Sequence, residues 1–191
     1  MTVGLLGGTF NPPHNGHILL ASRARERFEL ERLLVLVSVA PPHKRVDVEA
    51  DVRLRLAELA LPREEVVPDE NPYSIDTVKG YGDDAIFLVG ADQFANFLSW
   101  REPDEILDYV RLGVATRPGY PHDELDYVLD RLRRPERVEL FDMEPVPISS
   151  SEIREKVSRG DAVNELVPAP VAAEIERLGL YRRDPRYAVP A

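Results

Sequence analysis

Residues 7–17, with the sequence GGTFNPPHNGH, constrain the fold and chemistry of this chain more than any other segment. They follow a short apolar run and precede a segment with a helical pattern. Two adjacent glycines at a strand end let backbone N–H groups approach a ligand closely, because glycine has no Cβ and tolerates unusual dihedral angles. The predicted helix directs its N-terminus at the same point, and a helix N-terminus favours anions.

His14 and His17 add side chains to this turn. They are three residues apart across the start of the predicted helix, so both imidazole rings can face one ligand. Together these features predict a site for nucleotide phosphates. The alternative is a structural turn with two surface histidines. A zinc site is disfavoured, because the chain has no cysteine and only His43 and His122 remain as further histidine ligands.

The segment contains neither the G-x-G-x-x-G nor the G-x-x-x-x-G-K-[ST] phosphate motif. It resembles instead the H-x-G-H motif of the nucleotidylyltransferase superfamily. The longer pattern G-G-T-F-[DN]-P-x-H-x-G-H resembles the bacterial nicotinate-nucleotide adenylyltransferases. This resemblance implies that ATP is bound at Gly7, Gly8, Thr9 and Phe10.

The composition is typical of one globular domain. The chain has 191 residues, 43% of them hydrophobic, which is enough for a core of ordinary size. We expect a nucleotidylyltransferase domain over residues 1–183 and a loosely held tail over residues 184–191. No apolar run is long enough to span a bilayer, no signal peptide is recognisable and no cysteine is present, so we expect a cytoplasmic protein. The net charge of −10 disfavours a nucleic-acid partner.

Extended and helical patterns alternate, which predicts an α/β fold, namely a single-domain, Rossmann-like, doubly wound parallel sheet with C-terminal helices. The predicted strands are residues 3–6, 33–39, 85–89, 112–115 and 138–141. The predicted helices are residues 18–28, 52–61, 104–109, 124–132, 151–157 and 171–178. Ligands bind such sheets beyond the carboxyl ends of the strands, where the glycine turn and the loops at residues 40–45 and 90–92 fall.

A second phosphate-binding pattern lies at residues 147–154, PISSSEIR. Ser149 or Ser150 could cap a helix, but capping explains one serine rather than three. A helix start with several hydroxyl groups favours phosphate, and Arg154 would add a charge-assisted hydrogen bond. The pattern resembles the I-S-S-[ST]-x-[IL]-R motif of the same superfamily. The resemblance implies ATP binding by Ile148, Ser149, Ser150 and Ser151.

Two strand-end loops supply further candidates. Residues 40–45, APPHKR, place cations at the expected ligand edge, and the resemblance implies that Lys44 contacts phosphate. The alternative is a solvated basic turn. In residues 90–92, GAD, Gly90 permits close approach and Asp92 can accept hydrogen bonds from ribose hydroxyls, as the family's G-x-D implies. The alternative role of Asp92 is to cap the next helix.

The acceptor side is assigned by resemblance. The segment LSW ends at Trp100, which the family places against a pyridine ring, and TRPGY brings Arg117 to the active-site region. Arg101 follows Trp100 and could bind a carboxylate, or pair with Glu105 on the surface. Residues 73–77, YSIDT, resemble the family's S-Y-T-x-x-T, which implies mononucleotide binding by Tyr73, Ser74 and Thr77.

Three departures from the family pattern matter. Asn11 stands where the bacterial nicotinate enzymes usually have aspartate, and asparagine is more usual in the eukaryotic nicotinamide mononucleotide relatives. Ser74 replaces a threonine and keeps the hydroxyl. Residues 78–84 form a shorter segment than the family's usual helix at this point.

The resemblance implies adenylyl transfer from ATP to nicotinate mononucleotide, with phosphate contacts from His14, His17, Lys44 and Arg154. The acceptor phosphate is already anionic, so no side chain need act as nucleophile or base. Mg²⁺ should arrive on ATP, since no carboxylate cluster suggests a protein-bound metal. The alternatives are transfer to nicotinamide mononucleotide, transfer to an acceptor such as phosphopantetheine, and a nucleotide-binding regulator without catalysis. No membrane partner is expected, and a homo-oligomer stays open.

Overall fold

Six parallel strands form the framework of the fold. The computed structural model describes residues 1–42, 46–116, 120 and 122–182. The strands are β1 (Val3–Gly8), β2 (Arg32–Ser38), β3 (Glu65–Asp69), β4 (Ala85–Gly90), β5 (Arg111–Thr116) and β6 (Val138–Asp142). They form one sheet in the order β3-β2-β1-β4-β5-β6, and all five pairings are parallel.

Helices cover both faces of this sheet. They are α1 (Asn15–Phe28), α2 (Ala50–Ala60), α3 (Ser74–Val78), α4 (Ala91–Phe94), α5 (Pro103–Tyr109), α6 (His122–Leu129), α7 (Ser150–Arg159) and α8 (Ala169–Leu178), with short 3₁₀ turns at Phe97–Ser99 and Pro135–Arg137. The apolar run of β2 explains why helices pack on both faces, because its alternate side chains point to opposite faces of the sheet and both sets are buried. Val35 and Val37 pack in a core with residues of α1, α2, α7 and α8. Leu34 and Leu36 pack in a second core with residues of α3, α5 and α6. The predicted doubly wound parallel sheet is confirmed.

Several short elements were not predicted. The sequence of β3, EVVPD, offers only two β-branched apolar residues and a proline. Its position at the edge of the sheet tolerates Pro68, because a strand with one neighbour does not need every backbone N–H for the ladder. Helices α3 and α4 have five and four residues, too few to show a period. The shortened segment, residues 78–84, consists of the last residue of α3 followed by a short connection with turns that leads directly to β4.

Two predictions concern the chain as a whole. The tail expected at residues 184–191 lies outside the described residues, so the domain boundary stays a prediction. Within the ranges that the structure describes, no helix is both long and apolar enough to cross a membrane.

Gly113 in β5 lies against α1 and β4, and it generates a test of the packing. A Cβ at this position would lie 2.8 Å from Phe28 Cε2 and 2.9 Å from Leu88 Cδ2. We expect Gly113→Ala to lower the free energy of unfolding by about 1–3 kcal/mol, because extra volume in a packed core forces side chains out of their preferred rotamers. Chemical denaturation measures this difference.

Gly82→Ala is the matched control, since Gly82 is exposed and a Cβ there meets nothing within 4 Å. The control should leave the free energy of unfolding nearly unchanged. Equal effects from the two substitutions would contradict the packing argument.

Candidate active site

The candidate site lies where the strand order changes direction. β1 pairs with β2 on one side and with β4 on the other. Connections therefore leave the sheet in opposite directions at this point, and open α/β sheets bind ligands in the crevice that results. Two cavities, of about 640 and 610 Å³, open here. They share a wall formed by Gly7, Gly8, Thr9 and Gln93.

The larger cavity, lined by both histidines of the H-x-G-H pattern, is called the histidine cavity below. It brings together most of the predicted ATP contacts from both ends of the chain: Gly7, Gly8, Thr9, His14, His17, Gly90, Asp92, Ile148, Ser149, Ser150, Ser151 and Arg154. The two phosphate-binding patterns therefore meet in one space. The N-cap of α4 is Gly90, so Asp92 does not take the alternative capping role.

Phe10 is the exception among these predicted contacts, since it supports the turn from inside the core. Its side chain is 1% exposed, and its ring centroid lies 5.0 Å from that of His17. Phe10 has a φ of 48°, in the left-handed region. A Cβ on Gly8 would lie 3.1 Å from the Phe10 ring, so glycine fits the tight contact between the strand end and this ring.

Both histidines bind the backbone at the start of α1. His14 is the N-cap, and its Nδ1 accepts a hydrogen bond from the Gly16 N–H at 3.2 Å. The Nδ1 of His17 accepts a hydrogen bond from the His14 N–H at 3.2 Å, which completes a capping box. Since Nδ1 is an acceptor in each ring, the neutral imidazole carries its proton on Nε2. The capping bonds thus make the Nε2–H of each neutral ring its hydrogen-bond donor. The centroids of the two rings lie 3.9 Å apart.

Burial determines the charge of His14. The side chain is largely removed from water, and this desolvation lowers the pKa of His14 from 6.5 to about 4, although Glu152 acts in the opposite direction. His14 is therefore neutral at pH 7. It can donate a hydrogen bond to an anion through Nε2 without being a cation itself.

The three serines at the start of α7 have different partners. Ser149 is the N-cap, as one of the two predicted alternatives had it, and its Oγ accepts a hydrogen bond from the Glu152 N–H at 3.2 Å. The Ser150 hydroxyl donates to the Pro12 carbonyl at 2.8 Å. Ser151 Oγ accepts a hydrogen bond from Arg154 Nη2 at 3.0 Å. Only one serine serves as the cap.

The loop after β1 is also held by Arg154, a predicted phosphate contact, and by two residues that the sequence did not predict, Tyr181 and Arg53. Arg154 Nη1 donates to the Asn11 carbonyl at 2.8 Å, and the Tyr181 hydroxyl donates to Asn11 Oδ1 at 2.8 Å. Burial raises the pKa of Tyr181, so this hydroxyl stays protonated. Arg53 Nη1 donates to the Thr9 carbonyl at 3.0 Å.

Of the two unpredicted residues, only Arg53 has a sequence pattern from which its burial could have been predicted. It lies three, four and seven residues before the buried Leu56, Ala57 and Ala60, on the inner face of α2. A charged residue at such a position needs internal partners. Tyr181 lies 170 residues from Asn11, and no sequence pattern connects the two.

The second cavity, called the tryptophan cavity below, lies on the other side of the shared wall. Its lining includes four of the predicted mononucleotide contacts: Tyr73, Ser74, Trp100 and Arg101. Thr77 is not part of the lining. Its hydroxyl donates at 2.8 Å to Asp69 Oδ2, and Asp69 does line the cavity at the end of β3, which the sequence did not predict.

Arg101 contributes a cation to this cavity. Its guanidinium carbon lies 4.6 Å from the centroid of the Tyr73 ring. Glu105, the alternative partner considered for Arg101, pairs instead with Lys79 at 3.4 Å. Among the lining residues that the structure describes, Arg101 is the only lysine or arginine.

Two predicted cations cannot be placed in this geometry. Lys44 and Arg117 lie outside the described residues, so their roles stay predictions. Over the described ranges, no group of three or more histidine, cysteine, aspartate or glutamate residues is arranged to hold a metal ion.

Comparison with known proteins identifies the class and then the family. Residues 5–156 match the family model described as cytidylyltransferase-like, a class that agrees with the fold and with the paired cavities. The chain is 35% identical over 195 residues to a probable nicotinate-nucleotide adenylyltransferase of Thermus thermophilus, covering 95% of this chain and 100% of that protein. It is 40% identical over 195 residues to a protein of the same name from Bordetella petrii, covering 94% of this chain and 98% of the relative. The chain belongs to the nicotinate-nucleotide adenylyltransferase family of nucleotidyltransferases.

Solved structures agree on the fold. The nicotinic acid mononucleotide adenylyltransferase of Plasmodium falciparum, complexed with NaAD, superposes with a TM-score of 0.74 at 16% identity, covering 94% of this chain and 97% of that one. At this identity the likeness shows the fold alone.

The lowered pKa of His14 generates a prediction about pH and stability. The unfolded chain protonates His14 near pH 6.5, whereas the folded chain does so only near pH 4. The unfolded state therefore binds more protons between these values, and the contribution of neutral His14 to stability is complete above pH 6.5 and lost as the pH falls toward 4. Relative to His14→Asn, the free energy of unfolding of the unmodified protein should fall by about 2 kcal/mol between pH 7 and pH 5.

Asparagine is the matched variant because it can still cap α1 but does not titrate. Denaturant titrations of both proteins at the two pH values measure the difference. A gap between the two proteins that does not change with pH would contradict the buried, neutral state of His14.

Proposed function

We propose that this protein transfers the adenylyl group of ATP to nicotinate mononucleotide, giving deamido-NAD and pyrophosphate. One observation carries the proposal: the histidine and tryptophan cavities meet at a wall formed by Gly7, Gly8 and Thr9. Two nucleotides bound on the two sides of this wall would have their phosphates next to each other. Family membership supports the same reaction, as does the Plasmodium falciparum enzyme of the same fold, which was solved in complex with NaAD.

The histidine cavity suits ATP. It combines the glycine turn, the N-termini of α1 and α7, and the side chains of His14, His17 and Arg154. Helix N-termini favour phosphate through the positive end of the helix dipole. The hydroxyls of Ser150 and Ser151 already bind Pro12 and Arg154, so we assign them to holding the site together as well as to contacting phosphate.

The reaction needs positions and charges rather than a protein nucleophile. A phosphate oxygen of nicotinate mononucleotide attacks the α-phosphorus of ATP, and the bond from that phosphorus to the oxygen bridging to the β-phosphorus breaks. Pyrophosphate leaves with the electron pair. Negative charge grows on this leaving group, and we assign its stabilisation to the Nε2–H groups of the two histidines, to Arg154 and to Lys44. Mg²⁺ enters with ATP as part of the substrate.

The tryptophan cavity suits the acceptor nucleotide. Trp100 and Tyr73 provide aromatic faces for a pyridine ring. Ser74 provides a hydroxyl for the phosphate, and the Asp69 carboxylate provides an acceptor for ribose hydroxyls. The carboxylate of nicotinate distinguishes it from nicotinamide, and we assign its binding to Arg101, which lines this cavity. Asn11, which left the choice of acceptor open in the sequence, lines the histidine cavity, with its side-chain oxygen bound to Tyr181. It therefore gives no reason to favour nicotinamide.

Removing a phosphate donor should abolish most of the activity. His17→Gln keeps a capping-box acceptor for the His14 N–H but removes the imidazole. Arg154→Ala removes the guanidinium. We expect each to lower kcat by about 100- to 1,000-fold, the usual effect of losing one donor to charge that develops in the transition state. A coupled assay for pyrophosphate release measures kcat.

Arg159→Ala is the matched control for Arg154. Arg159 lies on the same helix and pairs with Glu155 at 2.8 Å, and its side chain is 49% exposed. Its removal should leave kcat unchanged. A folded His17→Gln protein with kcat within a few-fold of the unmodified enzyme would end the proposed mechanism.

The choice of acceptor tests the substrate. We expect kcat/KM to be at least about tenfold higher with nicotinate mononucleotide than with nicotinamide mononucleotide, a difference that needs only about 1.4 kcal/mol. Arg101→Gln should reduce this ratio, because the neutral amide cannot form a charge-assisted bond to the carboxylate. Arg101→Lys, which keeps the charge, is the matched control. Equal kcat/KM values for the two acceptors would overturn the substrate but not the reaction class.

A further inference from the structure

A cation is buried directly behind the wall that the two cavities share. Arg53 of α2 is 1% exposed, and its guanidinium donates four hydrogen bonds to backbone carbonyl oxygens. The distances are 3.0 Å to Thr9, 2.6 Å to Ser38, 3.0 Å to Val39 and 3.0 Å to Val48. Among the described residues no carboxylate contacts it in an ion pair, and Glu49 at the N-cap of α2 acts on its charge without a direct contact.

The four acceptors belong to three backbone segments that border the site. Thr9 follows β1 and lines both cavities. Ser38 ends β2 and lines the tryptophan cavity. Val48 lies at the far end of the loop after β2. The described part of that loop lines both cavities, with Pro41 and Pro42 in the tryptophan cavity and Val46 in the histidine cavity. One side chain thus fixes the end of β1 relative to both ends of this loop.

The charge of Arg53 acts on the same wall. The carbonyl of Thr9 belongs to the peptide group whose N–H is that of Phe10. A cation bound to the carbonyl oxygen polarises the peptide group and makes its N–H a stronger donor, because hydrogen bonds in series strengthen one another at low local dielectric. The guanidinium also places a positive charge on the inner side of the shared wall. The phosphates of the two nucleotides would lie on its outer side.

Stability of the fold does not by itself require a charged residue at this position. Burying a charge without a carboxylate is costly, and well-packed apolar residues often stabilise a fold as well as or better than buried ions. The bonds of Arg53 go only to backbone that shapes the two cavities and the loop between them.

We propose that Arg53 is a positioning residue for phosphate binding and adenylyl transfer. It fixes the position of the Thr9 peptide relative to the two ends of the loop after β2. The attacking phosphate oxygen of the acceptor is thereby aligned opposite the leaving group on the α-phosphorus of ATP. This role rests on the reaction proposed above. Misplacing reacting groups by about 1 Å can cost about 100-fold in rate. Loss of Arg53 should therefore lower kcat strongly and change the KM of the acceptor far less.

Arg53→Lys and Arg53→Met test this role at temperatures well below the melting midpoint of each variant. Lysine keeps the charge but cannot form the four-bond fork, whereas methionine removes both at similar length. We expect kcat to fall about tenfold for Arg53→Lys and about 100-fold for Arg53→Met. Arg55→Met is the matched control on the same helix, since Arg55 is 58% exposed and pairs only with Glu58 in the described chain. It should leave kcat unchanged.

The affinity for ATP, measured by calorimetry without an acceptor, provides the second measurement. We expect Arg53→Lys to weaken ATP binding about tenfold, and this result supports the role even if Arg53→Met does not fold. Unchanged kcat and unchanged ATP affinity in folded Arg53→Lys would overturn the inference. If the unmodified protein transfers adenylyl groups to no acceptor, the proposed reaction fails, while the ATP affinities still decide the role of Arg53.

Discussion

The hydrogen bonds that hold the carbonyl groups of the loop after β1 are the interactions on which the rest of the site depends. Arg53 binds the carbonyl of Thr9, Arg154 binds that of Asn11, and Ser150 binds that of Pro12. These donors come from α2 and α7, so the loop is held between two helices on the same face of the sheet. A buried carbonyl left without a partner costs about 1–3 kcal/mol, which makes each bond important for the shape of the loop.

The two histidine rings at the start of α1 both cap the helix and present hydrogen-bond donors to the histidine cavity. The Nδ1 atoms of His14 and His17 cap the helix, and this leaves the proton of each neutral ring on Nε2. Burial then keeps His14 uncharged at neutral pH. Nε2–H donors suit a site where the negative charge is spread over several phosphate oxygens, because hydrogen bonds can be aimed at individual atoms. The arrangement also explains why two histidines can lie with ring centroids 3.9 Å apart without repulsion between two positive charges.

Sequence patterns predicted the fold and most of the histidine cavity. The apolar runs of β2 and β4 indicated central parallel strands, and both phosphate-binding patterns were found at the edge where those strands end. The tryptophan cavity was predicted less completely. Asp69 was missed because β3 is a short edge strand with a proline. Thr77, which was predicted to bind the mononucleotide, lies outside the cavity lining and donates its hydroxyl to Asp69. Burial of Phe10 was also not expected from its place in the glycine turn.

The sequence by itself determined what depends on neighbours along the chain: the strands, the main helices, the glycine turn and the capping pattern of residues 14–17. Such features follow from hydrophobic periodicity and from hydrogen bonds within one turn of backbone. Only the tertiary structure decided which distant residues support the turn. Arg53 and Thr9 are 44 residues apart, and Tyr181 and Asn11 are 170 residues apart. No local pattern encodes these pairs, because the partners are brought together only when the sheet is assembled and the helices pack against it.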